Sequence, residues 1–245
     1  MCYFDERKEL FVGTNNNNKV YINLDDCPHI LISGMTGSGK SVLLNYIICE
    51  IVKKYPKDSF DFLMVDTKRV ELSPYKNLGK DYCTFVCDYD DILEELENIC
   101  YDIDFRYEKM EANGWRKVPN NWYRKIVVIE ELGDLMYVSK KQVEQYLTKI
   151  ARLGRACGIH LIISTQRPVV SVVTGEIKAN IGCRFALQTT STTDSINILG
   201  HKGAERLRGK GDCLLKLPTS QNEIHIQCPS VDDYYIIKTI EKFLN

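Results

Sequence analysis

The sequence predicts an α/β protein whose mostly parallel sheet is covered by helices on both faces. Short apolar runs alternate with longer segments whose apolar residues recur at helical spacing, as in strands joined by helical crossovers. The runs at residues 29–33, 60–66 and 160–165 are apolar at most positions, which is typical of strands buried on both faces. With 44% hydrophobic and 27% charged residues, the composition excludes a chain that is disordered over most of its length.

The predicted elements follow one another along the chain. An asparagine run at residues 15–18 predicts a hairpin loop, with a short strand behind it at 21–24. Pro56 ends the first predicted helix and Gly158 closes the third. Strands are expected at residues 29–33, 60–66, 82–87, 125–132, 160–165, 183–187, 212–217 and 223–227, and helices at 41–54, 90–112, 140–157, 193–199 and 231–243.

Composition and charge narrow the class of protein further. No Gly- or Pro-rich linker interrupts the pattern, so we predict a single domain over residues 1–245, with a lead-in at 1–28 and a core at 29–245. The 32 basic and 33 acidic residues give a net charge of −1. This excludes a protein that coats nucleic acid with a uniformly basic surface but permits a local basic patch.

The cysteines and the hydropathy predict a cellular location. The ten cysteines form no CxxC pair and only four His are present, so we expect buried free thiols in a reducing compartment and no zinc site. The N-terminal residues do not form a signal peptide, and no apolar run approaches the roughly 18 residues of a membrane span. We therefore expect a cytoplasmic protein without a membrane segment.

A phosphate-binding motif stands between the first long apolar run and the first predicted helix. Residues 34–41 read GMTGSGKS and satisfy G-x-x-x-x-G-K-[ST] in full. Glycines let the backbone N–H groups turn toward phosphate oxygens, and the helix N-terminus adds partial positive charge. Lys40 is expected to reach the β- and γ-phosphates of ATP, and the Ser41 hydroxyl to ligate Mg²⁺. The predicted ATP-binding residues are Gly34, Thr36, Gly37, Ser38, Gly39, Lys40 and Ser41.

Polar residues at the ends of two later strands complete a candidate hydrolytic site. The strand at 125–132 contains Glu130 and Glu131, and adjacent residues of a strand face opposite ways. We therefore predict that Glu130 belongs to the Mg²⁺ shell and that Glu131 is the general base for the attacking water. Gln166 follows the strand at 160–165, at the strand edge where ligands bind in α/β sheets, and is predicted to sense the γ-phosphate.

In this order, these motifs resemble the motor domain of the FtsK/SpoIIIE family of DNA translocases. The resemblance covers residues 20–245 and rests on segments 29–42, 66–72, 126–136, 150–168, 172–187, 193–215 and 226–233. It implies a RecA-like P-loop NTPase fold, a ring of six subunits that hydrolyses ATP between subunits, and movement along double-stranded DNA. It also implies that Arg184 is an arginine finger for the neighbouring subunit, although a strand-edge ion pair would explain the residue too.

The resemblance places a DNA-contacting channel loop at residues 201–210. Four cations stand there against one acid, Glu205, a net charge of +3 in ten residues. Such a patch would bind backbone phosphates without reading sequence. The predicted DNA-binding residues are Lys202, Arg206, Arg208 and Lys210.

Two departures from the family pattern leave alternatives open. Relatives usually have Asp where this chain has Glu130. The extra methylene of glutamate moves the carboxylate, and catalysis depends on the position of this group. Ile196 stands where relatives often have a basic residue. The alternatives are a conjugation or virion DNA-packaging motor of the same superfamily, and a weakly hydrolysing, nucleotide-gated regulator.

Overall fold

The computed structural model describes residues 9–119, 121–220 and 222–245. Its strands are Leu10–Asn15 (β1), Asn18–Ile22 (β2), His29–Ser33 (β3), Phe60–Val65 (β4), Cys83–Val86 (β5), Arg124–Ile129 (β6), Ile159–Thr165 (β7), Cys183–Leu187 (β8), Asp212–Lys216 (β9) and Ile224–Gln227 (β10). Its α-helices are Lys40–Lys54 (α1), Tyr89–Ala112 (α2), Leu132–Cys157 (α3), Gly175–Asn180 (α4), Thr192–Leu199 (α5) and Asp233–Leu244 (α6). Short 3₁₀ turns lie at Lys57–Ser59, Ser73–Leu78 and Ala204–Arg206.

All ten strands form one sheet, in the order β2-β1-β10-β9-β8-β3-β7-β6-β4-β5. The six strands from β8 to β5 in this order are parallel to one another. The other four extend one edge through antiparallel pairing. The predicted α/β class is confirmed, and so is the mostly parallel sheet.

Helices bury both faces of the sheet. Ile30 and Ile32 of β3 pack in a core with α1 and α6, whereas Leu31 between them packs in a second core with α2 and α3. Both cores are built from side chains that are almost fully withdrawn from water. Opposite orientation of successive side chains on a strand explains why the runs are apolar at consecutive positions.

The structure differs from the predicted elements most clearly after β6. The predicted strand at 125–132 ends at Ile129, and α3 begins at Leu132 rather than at residue 140. The side chain of Glu131 caps this helix by accepting a hydrogen bond from the Gly133 N–H, at 3.1 Å. A break at Ser139, with φ −144° and ψ 63°, separates the first turns from the long regular part. The spacing of apolar residues in the sequence does not reveal this capping contact, so the start of the helix was predicted too late.

The hairpin at the N-terminal end extends the sheet. Asn16 and Asn17 have φ of 45° and 69° and form the two-residue loop between β1 and β2. The loop was predicted, but the strand before it was not, and β2 ends at Ile22 rather than at residue 24. Strand β1 pairs with β10, so the hairpin joins the sheet at its edge. Helix α4 was also missed, because six residues are too few for a periodic pattern.

The cysteines of the described residues are all free thiols, and only Cys87 is not fully buried. The expectation of buried free thiols agrees with this. No group of three or more His, Cys, Asp or Glu in the described ranges could hold a metal ion. Within the same ranges, no helix has the length and hydropathy needed to cross a bilayer.

Two buried histidines lie side by side at the base of the central strands. Burial lowers the pKa of His29 to about 4 and that of His160 to about 3, with Arg155 and Arg124 respectively adding repulsion. Arg124 lies 3.2 Å from His160 Nε2, and because arginine only donates, this nitrogen accepts. His160 Nδ1 therefore holds the proton and donates to the Pro28 carbonyl oxygen at 3.2 Å. Both rings are neutral in the folded protein at neutral pH.

We expect the free energy of unfolding to fall as the pH is lowered from about 6.5 toward 4. The unfolded chain protonates these histidines near the ordinary pKa of about 6.5, whereas the folded chain protonates His29 only at about pH 4 and His160 only at about pH 3. Each histidine then contributes about 1.4 kcal/mol of lost stability per pH unit in that window. Urea denaturation at pH 7, 6 and 5 measures the slope. The slope should decrease in His29→Gln but not in His201→Gln, since the pKa of His201 is raised by its hydrogen bonds with Lys202 and Glu223; a His29→Gln slope equal to that of the unchanged chain would contradict the assignment.

Candidate nucleotide-binding site

The motif at residues 34–41 forms a loop between the carboxyl end of β3 and the first turn of α1. Gly34 N donates to the Thr165 carbonyl and Met35 N to the Gln188 carbonyl, which ties the loop to the ends of β7 and β8. Gly39 has φ of 102°, and a Cβ there would lie 2.7 Å from the Gly211 nitrogen. Only glycine therefore fits at this position.

A cavity of about 540 Å³ opens over this loop. Its size is that of a small-molecule site. Of the predicted ATP-binding residues, Thr36, Gly37, Gly39, Lys40 and Ser41 line it. Gly34 and Ser38 lie in the body of the loop and are absent from its lining. The opposite wall comes from Glu71, from Lys210 and Gly211, and from residues 227–230 after β10.

Lys40 is buried at the floor of the cavity and holds the first carboxylate. Its ammonium lies 3.0 Å from Glu130 Oε1, 3.2 Å from the Glu130 carbonyl oxygen and 3.1 Å from Ser164 Oγ. These three acceptors use all three donors of the ammonium. Contact with a phosphate therefore requires Lys40 to exchange some of these partners.

Glu130 has one carboxylate oxygen left over. Its side chain is 2% exposed, and Oε2 has no hydrogen-bond partner among the described residues. Burial raises the pKa of Glu130 above its ordinary value, against the opposing effect of Lys40. A buried, unpartnered carboxylate oxygen beside Lys40, the residue before Ser41, fits the oxygen donors that Mg²⁺ requires. Glu130 and Ser41 are therefore the residues that would hold the ion.

Glu131 points away from Glu130, toward the end of β7. Its Oε1 accepts from Thr165 Oγ1 at 2.7 Å as well as from the helix amide of Gly133, and Oε2 accepts from the Gln166 N–H at 2.9 Å. An ionised carboxylate offers about four acceptor positions. Three are used, which leaves one on Oε2 for a water molecule.

Gln166 joins the two halves of the site. Its side-chain oxygen accepts from Thr36 Oγ1 of the loop at 2.9 Å, while its backbone N–H holds Glu131. It lines both the cavity over the loop and a second cavity of about 480 Å³ beside Glu131. The structure thus brings Lys40, Glu130, Glu131 and Gln166 together.

Other residues of this site were not singled out from the sequence. Ser164 and Thr165 hold Lys40 and Glu131, and their polarity at the end of an apolar run was the available signal. Lys68 lines the second cavity and lies 3.3 Å from Asp134. Burial alone would lower the pKa of Lys68, but the carboxylates of Asp134 and Glu130 raise it above its ordinary value.

Arg184 is engaged with the backbone of its own chain. Its guanidinium donates to the carbonyl oxygens of Ile181 at 2.8 Å, Ile198 at 3.0 Å and Lys178 at 2.5 Å. These contacts join α4 and α5 to β8. The side chain does not reach the 540 Å³ cavity of its own chain. A strand-edge ion pair, the alternative considered from the sequence, is absent among the described residues.

The predicted DNA loop divides into two parts. Lys202, Arg206 and Arg208 are exposed, and the two arginines form ion pairs with Glu205 at 3.4 Å and Asp212 at 3.1 Å. Lys210, which was predicted with them, is exposed as well, and it also lines the cavity over the phosphate loop. The reason is that Gly211 N donates to the Ser38 carbonyl at 2.8 Å, which pulls this end of the loop onto the motif.

Comparison with known proteins identifies the family. The sequence model of the FtsK/SpoIIIE family matches residues 6–126 and 123–170. The chain is 37% identical over 241 residues to the DNA translocase FtsK of Chlorobaculum tepidum, across 91% of this chain. The chain belongs to the FtsK/SpoIIIE family. A second member, the DNA translocase SpoIIIE of Bacillus subtilis, is 35% identical across 95% of the chain.

The chain spans 30% of the length of the C. tepidum relative and 32% of the B. subtilis one. Among solved structures, the pCW3 conjugation coupling protein TcpA with ATPγS superposes with a TM-score of 0.86 at 28% identity, covering 98% of this chain and 72% of that one. The cytoplasmic domain of the Thermomonospora curvata type VII secretion ATPase EccC superposes with a TM-score of 0.81 at 19% identity, over 97% and 31%. This family member has the P-loop ATPase fold.

Proposed function

We propose that this chain is an ATP-hydrolysing motor domain that moves double-stranded DNA. The observation that supports it most strongly is the hydrogen-bonded series from Thr36 through Gln166 to Glu131. It joins a complete phosphate loop to a carboxylate with one free acceptor position. The FtsK and SpoIIIE relatives are named DNA translocases, which supplies the substrate. The single domain over residues 1–245 is part of this proposal.

The chemistry follows from where these side chains lie. The loop amides and the Lys40 ammonium bind the phosphates, with Lys40 leaving part of its contact with Glu130. Ser41 and Glu130 would hold Mg²⁺, which would supply positive charge next to the phosphate oxygens. Glu131 orients the attacking water and takes its proton. Gln166 responds to the γ-phosphate. When this phosphate leaves, Gln166 transmits the change to Glu131 and to the second cavity.

In a ring of six subunits that hydrolyses ATP at each interface, Arg184 of one subunit acts at the ATP site of its neighbour. Within its own chain the guanidinium is held by three carbonyl groups around α4 and α5. An arginine finger that crosses the subunit interface must first break some of these hydrogen bonds. We infer that the short helices α4 and α5 lie at the interface and set the position of the guanidinium.

A conjugation motor is the second candidate, and one observation favours it. The TcpA structure shares 28% identity with this chain over 98% of its length, and it is named a conjugation coupling protein. The nucleotide chemistry would be the same in both cases. The two candidates differ in the DNA that is moved, which depends on partners outside this chain.

We expect duplex DNA to stimulate ATP hydrolysis, more than single-stranded DNA of equal length does. The exposed cations Lys202, Arg206 and Arg208 would contact backbone phosphates. The double variant Arg206→Ala, Arg208→Ala should therefore bind every duplex sequence more weakly. For this variant, the slope of log affinity against log salt concentration should also be less steep by about one to two units.

The matched control for this experiment removes two charges elsewhere. Lys238→Ala with Lys242→Ala changes exposed residues of α6 and should keep both the stimulation and the salt slope. A loop variant that loses affinity for one sequence only would contradict phosphate contact. Hydrolysis that no DNA stimulates would favour the nucleotide-gated regulator.

A further inference from the structure

Lys210 is the second lysine that lines the nucleotide cavity, and it is exposed. It lines the cavity together with Lys40 and Ser41. The ammonium of Lys40 is already occupied by Glu130 and Ser164. The ammonium of Lys210 has neither an ion pair nor a hydrogen bond with any described residue. A triphosphate that enters this cavity therefore meets one cation that must exchange partners and one that is free.

The backbone at Lys210 is held in a conformation that side chains disfavour. Lys210 has φ of 51°, between Gly209 at 77° and Gly211 at 88°. Left-handed backbone is unfavourable for a residue with a Cβ, and such strain concentrates at ligand sites. Gln227 Nε2 donates to the Lys210 carbonyl at 2.8 Å and holds the turn. The chain holds a lysine in this conformation beside the cavity, at a position where glycine would be less strained.

The segment is also fastened to the phosphate loop itself. The N–H of Gly211 donates to the Ser38 carbonyl at 2.8 Å, and Gly211 lies so close that Gly39 has no room for a Cβ. A Cβ on Gly211 would in turn lie 2.9 Å from the Gln227 amide. The backbone next to Lys210 is thus fastened to the loop that binds phosphate.

We propose that the ammonium of Lys210 binds the phosphate chain of the nucleotide, which deepens and rests on the ATPase function proposed above. A lysine ammonium is a compact cation that recognises phosphate oxygens through charge-assisted hydrogen bonds. Arg208 and Arg206, two and four residues earlier, are exposed on the part of the loop assigned to DNA. One short segment therefore has a nucleotide contact at one end and DNA contacts at the other, so that phosphate binding fixes the end of the DNA loop.

The test measures nucleotide binding without DNA, with ATPγS and ADP as probes in calorimetry. Lys210→Met should weaken binding of ATPγS about tenfold, the effect of one lost charge-assisted contact. Lys19→Met removes an exposed lysine of β2 and should leave the affinity unchanged. An equal loss for both probes places Lys210 on the α- and β-phosphates, and a loss for ATPγS alone places it on the γ-phosphate.

A second variant separates the charge from the fold. Lys210→Gly removes the ammonium and relieves the positive φ, so it should melt no lower than the unchanged chain while still binding nucleotide weakly. Full nucleotide affinity in both Lys210 variants, together with weakened duplex binding, would overturn the proposal and return Lys210 to the DNA contacts. Failure of the unchanged chain to bind either probe would instead overturn the ATPase function, and this proposal with it.

Discussion

Replacing Lys40 with alanine is expected to abolish ATP hydrolysis, with a loss of at least about 10²–10³-fold. The ammonium is the one side-chain cation at the floor of the cavity, where it contacts Glu130 and Ser164. Without it, the phosphates lose the buried cation of the cavity, and Lys210 on the opposite wall is the lysine of the lining that remains. Steady-state hydrolysis with duplex DNA measures the loss, with Lys19→Ala, a change on exposed β2, as the control.

The same change should also weaken the fold in a manner that depends on pH. Lys40→Ala leaves the carboxylate of Glu130 buried without its cation, and breaking such a pair costs about 3–5 kcal/mol. Burial already raises the pKa of Glu130 in the folded chain, and loss of Lys40 raises it further. A raised carboxyl pKa means that the folded state binds the proton more tightly than the unfolded one. The destabilisation should therefore decrease as the pH is lowered through that raised pKa.

A second substitution tests this explanation. Adding Glu130→Gln to Lys40→Ala removes the unpaired charge, so it should restore much of the lost stability at pH 7 without restoring hydrolysis. Urea denaturation of the two variants gives the comparison. If the double variant is no more stable than Lys40→Ala, the Glu130 charge is not the cause of the destabilisation.

The order of the elements could be predicted because the central strands are buried on both faces. Strands β3, β4, β6 and β7 have buried apolar side chains at consecutive positions, and this gives a strong local signal. The first turns of α3 gave no such signal, because they depend on the Glu131 cap and end at the break at Ser139. Strand β1 was missed because it is short and Gly13 interrupts its apolar run, where the pairing with β2 is irregular.

The sequence predicted those residues of the candidate site that lie within a recognisable motif. Residues 34–41 could be placed because the spacing itself encodes the loop, and Glu130 and Glu131 diverge as adjacent residues should. Lys210 could not be placed, since it reaches the cavity only through a hydrogen bond between Gly211 and Ser38, 173 residues apart. The charge pattern grouped it with Arg206 and Arg208, and the pattern contains no information on which side of the loop each side chain lies.

Glu131→Gln is expected to lower hydrolysis about 10²–10⁴-fold while nucleotide binding is retained. Glutamine keeps an oxygen for the Gly133 and Thr165 donors, but its amide nitrogen replaces the oxygen that accepts from the Gln166 N–H and cannot take a proton from water. Glu131→Ala would in addition remove the cap of α3, at a cost of about 1 kcal/mol, so the glutamine variant is the one that keeps the helix cap. Single-turnover hydrolysis and ATPγS binding are the two measurements.

Mixing variants then shows which chain supplies each group. Arg184→Ala should be inactive alone but partly active when mixed with Glu131→Gln. Where the two meet, an intact Lys40 and Glu131 from one chain can face an intact Arg184 from the other. Lys40→Ala mixed with Glu131→Gln is the control and should stay inactive, because both losses lie in the same half of every site. Equal inactivity in both mixtures would mean that Arg184 serves its own chain, through the carbonyl groups of Ile181, Ile198 and Lys178 that it already holds.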